Sequence, residues 1–131
     1  GFVPLLVHEP FVRLVRNVDG RPGDEVLVHV SHISTYDGYA FLTYAGGGLR
    51  LSASFDQNVS LGDGFAMGFR CWQNGGVAGV TTYSFGQVSL RGRWKRYVRR
   101  YQWADGALTR VGPTRRSVVR RPRRIERGIH C

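Results

Sequence analysis

Apolar and polar positions along the chain alternate mostly with a period of two. No window of eleven or more residues repeats apolar side chains at 3.6, so strands are expected throughout and helices are not. "EVLVHV" (25–30) follows a Pro22-Gly23 turn signal, and "YAFLTY" (39–44) follows Asp37-Gly38. "LRLSASF" (49–55) reads as a half-buried strand with Leu49, Leu51, Ala53 and Phe55 on one face, entered through Gly46-Gly47-Gly48. "GFAMGFR" (64–70) and "VAGVTTY" (77–83) are separated by Asn74-Gly75-Gly76. "GQVSLRGRW" (86–94) places Val88, Leu90 and Trp94 together. "KRYVRRYQW" (95–103) places Tyr97, Tyr101 and Trp103 together, with Arg99 among them. Asp105-Gly106 is a two-residue hairpin signal leading into "ALTRV" (107–111). About eight short strands near ten-residue spacing predict an all-β, antiparallel sandwich or jelly-roll-like body.

Composition sharpens this picture. The chain has 131 residues, enough for one domain with a core, and its 18 glycines are about twice the usual share of about 7%. No apolar run approaches the roughly 20 residues of a membrane-spanning helix. Gly1–Phe11 carries Pro4 and Pro10 and no basic lead, so it does not read as a signal peptide. Two cysteines, Cys71 and Cys131, are too few for a disulfide scaffold. Reduced thiols in an intracellular setting are expected, with Cys71 structural and His130-Cys131 a loose end.

Charge changes the reading most. Residues 1–90 hold five basic and seven acidic side chains; residues 91–131 hold fourteen basic and two acidic, a local net of +12. All the cations but Lys95 are arginines, whose planar fork matches phosphate oxygens and stacks on bases. From Thr114 to Arg127 the chain reads TRRSVVRRPRRIER. So arginine-rich a block repels itself, and an extended basic arm over 114–131, following a body over 1–113, is the expected division. The arm is expected to be dispensable for folding.

Other chemistry finds less support. His29 and His32 form an H-x-x-H that could join Cys71 around zinc, but residues three apart on a strand face opposite ways. Ser31, His32 and Asp37 lie close in sequence without a nucleophile elbow. Gly46-Gly47-Gly48 lacks the Lys-Ser/Thr and helix of a phosphate loop. No catalytic site, metal, cofactor, membrane or small-molecule substrate is expected. The strongest signal is basic and aromatic: six cations between Arg91 and Arg100 surround Trp94 and Tyr97, and Tyr101 and Trp103 follow. Such a segment neutralises phosphates, while aromatics left exposed stack on unpaired bases. The competing account puts those aromatics in the core. The residues expected to contact RNA, through its backbone and without sequence preference, are Arg91, Arg93, Lys95, Arg96, Arg99, Arg100, Arg115, Arg116, Arg120, Arg121, Arg123, Arg124 and Arg127.

Two resemblances bear on this. "YAFLTYAGGGLRLSASF" (39–55), "GDGFAMGFR" (62–70) and "VRRYQWADGALTRVGPT" (98–114) resemble the jelly-roll capsid proteins of picorna-like viruses over residues 36–113, although such jelly rolls are longer. The resemblance implies a coat protein that self-assembles, found in the virion and host cytoplasm. Its basic arm (Arg115, Arg116, Arg120, Arg121, Arg123, Arg124 and Arg127) would neutralise packaged RNA. "FGQVSL", "KRYVRRY" and "ALTRV" are similar to a stretch of the RNA-silencing suppressors of tombus-like viruses. That likeness implies instead a small duplex-RNA binder acting as monomer or dimer, though the helices those suppressors use are missing here.

Overall fold

A computed structural model describes residues 11–18, 25–33, 36–45, 47–57, 65–88 and 92–131. They form nine strands: β1 (Phe11–Arg16), β2 (Glu25–Ile33), β3 (Tyr36–Ala45), β4 (Gly48–Gln57), β5 (Phe65–Asn74), β6 (Val77–Gln87), β7 (Trp94–Ala104), β8 (Ala107–Val119) and β9 (Gly128–His130). A single 3₁₀ turn, Arg124–Glu126, precedes β9. The first sheet has the order β1-β2-β3-β4 and the second β8-β7-β6-β5-β9. Antiparallel neighbours are all consecutive in the chain, so each sheet is a meander of hairpins. The β9–β5 pair is parallel, an exception to the antiparallel architecture expected. At the β7–β8 turn Asp105 and Gly106 both take positive φ, 51° and 77°, the conformation whose twist suits a two-residue hairpin.

The sheets bury a core in which Leu27, Tyr39 and Phe41 of the first meet Phe69, Val80 and Trp103 of the second. Edge-to-face rings dominate it: Phe41 lies 6.1 Å from Phe69 and 5.9 Å from Trp103, centroid to centroid. Glu25 is buried at the start of β2, where its Oε1 accepts the Val18 N–H at 3.0 Å. His29 is also buried, and its Nε2 meets Asp37 Oδ1 at 3.0 Å.

Several expectations are corrected here. Leu49, Leu51 and Phe55 do not share a face. Phe41 pairs with Ala53 but Leu42 with Leu51, so Ser52 is an extra residue that flips the alternation. Leu49 and Leu51 are therefore exposed, while Phe55 packs among Phe41, Phe69 and Tyr101. Residues 86–94 are not one strand: β6 ends at Gln87 and β7 begins at Trp94. Between them the Val88 N–H donates to the Arg93 carbonyl at 2.9 Å. Phe11–Arg16, which carried no strand expectation, is β1.

The C-terminal third departs most from the expected arm. The boundary between Pro113 and Thr114 falls inside β8, and Arg115–Val119 pair residue by residue with Val98–Trp94. The chain then crosses from β8, at one edge of the second sheet, to β9 at the other. Four strand spacings are about 19 Å, within reach of the intervening residues 120–127 at about 3.3 Å each. This strap passes over the face turned away from the first sheet, where Ala66, Tyr83, Phe85 and Trp94 form a second buried cluster with Val98 and Val119 against it. Pro122 and Glu126 of the strap are buried. Gly68 makes the close crossing possible, because a Cβ there would sit 2.6 Å from the Glu126 carbonyl oxygen.

Cys131 is no loose end, and neither cysteine is a free thiol. They are joined in a disulfide with Cα atoms 4.6 Å apart, and both pack against the inter-sheet core. The Arg16 guanidinium donates to the Cys131 carbonyl, and Gln73 Nε2 donates to the Asn17 carbonyl at 2.8 Å. The end of β1 is thus tied to the residue that follows β9 and to the end of β5.

Candidate nucleic-acid interface

Residues opposite one another in the register share a face of the sheet, which sorts the cations of the second sheet into two sets. Arg70 (β5), Thr81 (β6) and Arg100 (β7) form one row across the outer face, continued by Val111 on β8. The next row is Gly68, Tyr83, Val98 and Arg115, and beyond it Phe85, Arg96 and Ser117 line up. Lys95, Arg99, Arg110 and Arg116 belong by the same register to the opposite face.

The outer face is concave between Arg70 and β8, and its cleft encloses about 520 Å³. Thr81, Tyr83 and Val98 line it together with Trp72, and Arg70, Arg100 and Arg115 stand around it. Among the described residues no carboxylate lines it. The wall on the β8 side is irregular. Val98 pairs with Arg115 and Arg100 with Val111, so Gly112, Pro113 and Thr114 stand opposite Arg99 alone. Gly112, at φ 73°, lets the strand swell there. Trp72 packs against Gly79, where a Cβ would collide with both the indole and the Tyr101 carbonyl oxygen. The Arg100 guanidinium caps that indole at 4.3 Å from the ring centroid, close enough for a cation–π contact that fixes the side chain.

The remaining expected RNA contacts are distributed as follows. Arg96 is engaged inside the protein: its guanidinium holds Glu126 through Nε, at 2.6 Å from Oε2, and through Nη2, and it lies 5.5 Å from the Tyr83 ring centroid. Arg116 covers Tyr97 at 5.9 Å. Arg93 and Lys95 are exposed at the start of β7, and Arg99 is half-buried beside the swelling of β8. Arg120, Arg121, Arg123 and Arg124 are exposed on the strap, while Arg127 is half-buried just before β9. Arg91 lies outside the described residues. Among the aromatics of the basic segment, Trp94 and Trp103 are buried, and Tyr97 and Tyr101 half-buried, so the core claims the tryptophans.

Arg70 and Trp72 escaped the sequence reading. Arg70 is one of only five cations in the near-neutral part of the chain, and only the register brings it beside Arg100. Glu126, the lone acid of its block, was the available signal that this block folds back onto the protein. The zinc arrangement is excluded for Cys71 by its disulfide. Among the described residues no three His, Cys, Asp or Glu side chains cluster as metal ligands. Compared with known proteins, the chain matches no family model, no curated sequence and no solved structure.

Proposed function

We propose that this protein is a non-enzymatic structural protein of the coat type that self-associates through its β body and binds RNA by its phosphates. One observation carries the reading. Fourteen of the nineteen cations follow residue 90, and those on β7, β8 and the strap mostly project into solvent, against a local pair of acids of which Glu126 is already engaged by Arg96. An ordered sheet that displays so many forked cations is stabilised by a polyanion, because bound phosphates relieve their repulsion and release counterions. The arginines act from a folded surface rather than from an extended arm. Nothing in the register directs a helix or ribbon into a nucleic-acid groove, so contact with the backbone, indifferent to sequence, is the form expected.

The test is the size of the purified protein by light scattering before and after RNase treatment, with RNA extracted from any particle. Large uniform particles carrying protected RNA are expected. A monomer- or dimer-sized species that shifts duplex RNA would replace the coat reading with that of a small RNA-binding protein. A small species indifferent to RNA would overturn both.

A further inference from the structure

We propose that the cleft on the outer face of the second sheet is a binding site for one unpaired nucleotide of single-stranded RNA. Arg70 and Arg115 would hold its phosphate, and Arg100, laid on Trp72, would offer a flat surface to its base. This rests on the RNA-binding reading above and deepens it, because most of the cations on β7, β8 and the strap make only a diffuse positive surface.

Three arginines converge here from three different strands. Arg70 on β5 and Arg115 on β8 are three strand spacings and one row apart, so their Cα atoms stand about 16 Å apart, a gap that two extended guanidinium side chains close onto a single phosphate between them. Arg115 sits one row along on β8, opposite Val98, and lines the same cleft. Among the described residues the lining includes no carboxylate to compete with an anion. The volume of about 520 Å³ lies within the range of small-ligand sites, about 300–1,000 Å³.

Selectivity for an unpaired residue follows from Arg100. Its guanidinium carbon stands 4.3 Å from the Trp72 ring centroid, and Trp72 is packed in turn against Gly79. The outward face of that guanidinium is a pre-organised plane of the kind on which splayed bases stack. A base inside a duplex keeps both its faces covered by its neighbours, so duplex RNA can offer this cleft only phosphates. Thr81, opposite Arg100 in the register, and Tyr83 also line the cleft.

The experiment follows Trp72 fluorescence during titration with an oligouridylate octamer, a blunt RNA duplex and uridine monophosphate. Trp94 and Trp103 are buried at 4% and 7% exposure, so a signal from the cleft comes from Trp72. The octamer is expected to quench it and the duplex to leave it unchanged, while the affinity for each RNA is read separately by filter binding. Arg70→Gln should weaken octamer binding about tenfold and duplex binding less than about twofold, since a charge-assisted fork is lost only at the cleft. Arg124→Gln removes the same charge from the strap and should weaken both probes to the same degree. If Arg70→Gln behaves like Arg124→Gln, or changes neither probe, the cleft is not a nucleotide site. Uridine monophosphate binding as tightly as the octamer would assign the cleft to a free nucleotide and overturn the RNA assignment. A wild-type protein that binds neither RNA defeats the broader reading instead.

Discussion

At the scale of single residues, Gly79 does more than its position in an ordinary strand would require. Trp72 lies across it and the Tyr101 carbonyl passes above it, so even one methyl group has nowhere to go. Gly79→Ala is expected to cost about 2–3 kcal/mol, measured by urea denaturation, and to loosen Arg100 along with the indole beneath it. Tyr39 gives a pH prediction. Burial pushes its phenol above the ordinary value of 10.0, and Asp37 pushes the same way, while Arg13 pulls against both. The folded protein therefore keeps this proton where the unfolded chain releases it. Stability is whole below about pH 10 and declines as pH rises beyond. In Tyr39→Phe that alkaline component should vanish, seen as a flatter dependence of the melting temperature on pH above 10. Neither behaviour was legible in the sequence. Gly79 stands in "VAGVTTY" like any small residue on a strand, and the partners that make it indispensable come from β5 and β7. Arg100 and Arg115 were legible as cations. Their meeting with Arg70 was not, because it depends on a register that spans four strands.

At the scale of elements, local signals were reliable wherever the partner is next in the chain. Asn74-Gly75-Gly76 and Asp105-Gly106 mark two of the three hairpins of the second sheet, β5–β6 and β7–β8. The signals failed where pairing is remote or where a strand changes face. Ser52 bulges against the Phe41–Leu42 step, and composition carries no mark of it. The three residues of β9 pair with β5 about 60 positions earlier, and an arginine-rich stretch hides so short a strand. The strap holds for three physical reasons: Gly68 admits its backbone, Glu126 neutralises Arg96, and Cys131 bonds to Cys71. Cys131→Ser is expected to lower stability by about 2–4 kcal/mol. Amide exchange should then accelerate first in residues 120–130, with β2 and β3 unaffected. Equal acceleration in both sheets would mean that the strap is integral to the whole fold rather than to one face. Deleting 114–131 would remove half of β8 as well as the strap, so that truncation should unfold the second sheet instead of leaving a sound body.

Over the whole molecule, the all-β class followed from the period of two, and the uneven charge followed from a simple count. What the count could not give is where the charge goes. It lies on an ordered sheet and strap, with cations on both faces of β7 and β8 and an intramolecular partner for Arg96. A surface of this kind predicts strong dependence on ionic strength. Raising salt from about 50 to about 200 mM should weaken RNA binding by roughly three orders of magnitude if about six phosphates are engaged, measured by filter binding. A flat response would sink the phosphate account. The disulfide also has a mechanical consequence. Cys71 lies on β5 in the middle of the chain and Cys131 closes the second sheet, 60 residues later. A force applied between β1 and Cys131 therefore runs through sulfur directly into β5. The hairpins from β6 to β8 and the strap hang off this path as a closed loop, about 200 Å of chain when extended, that carries no tension until a reductant opens it.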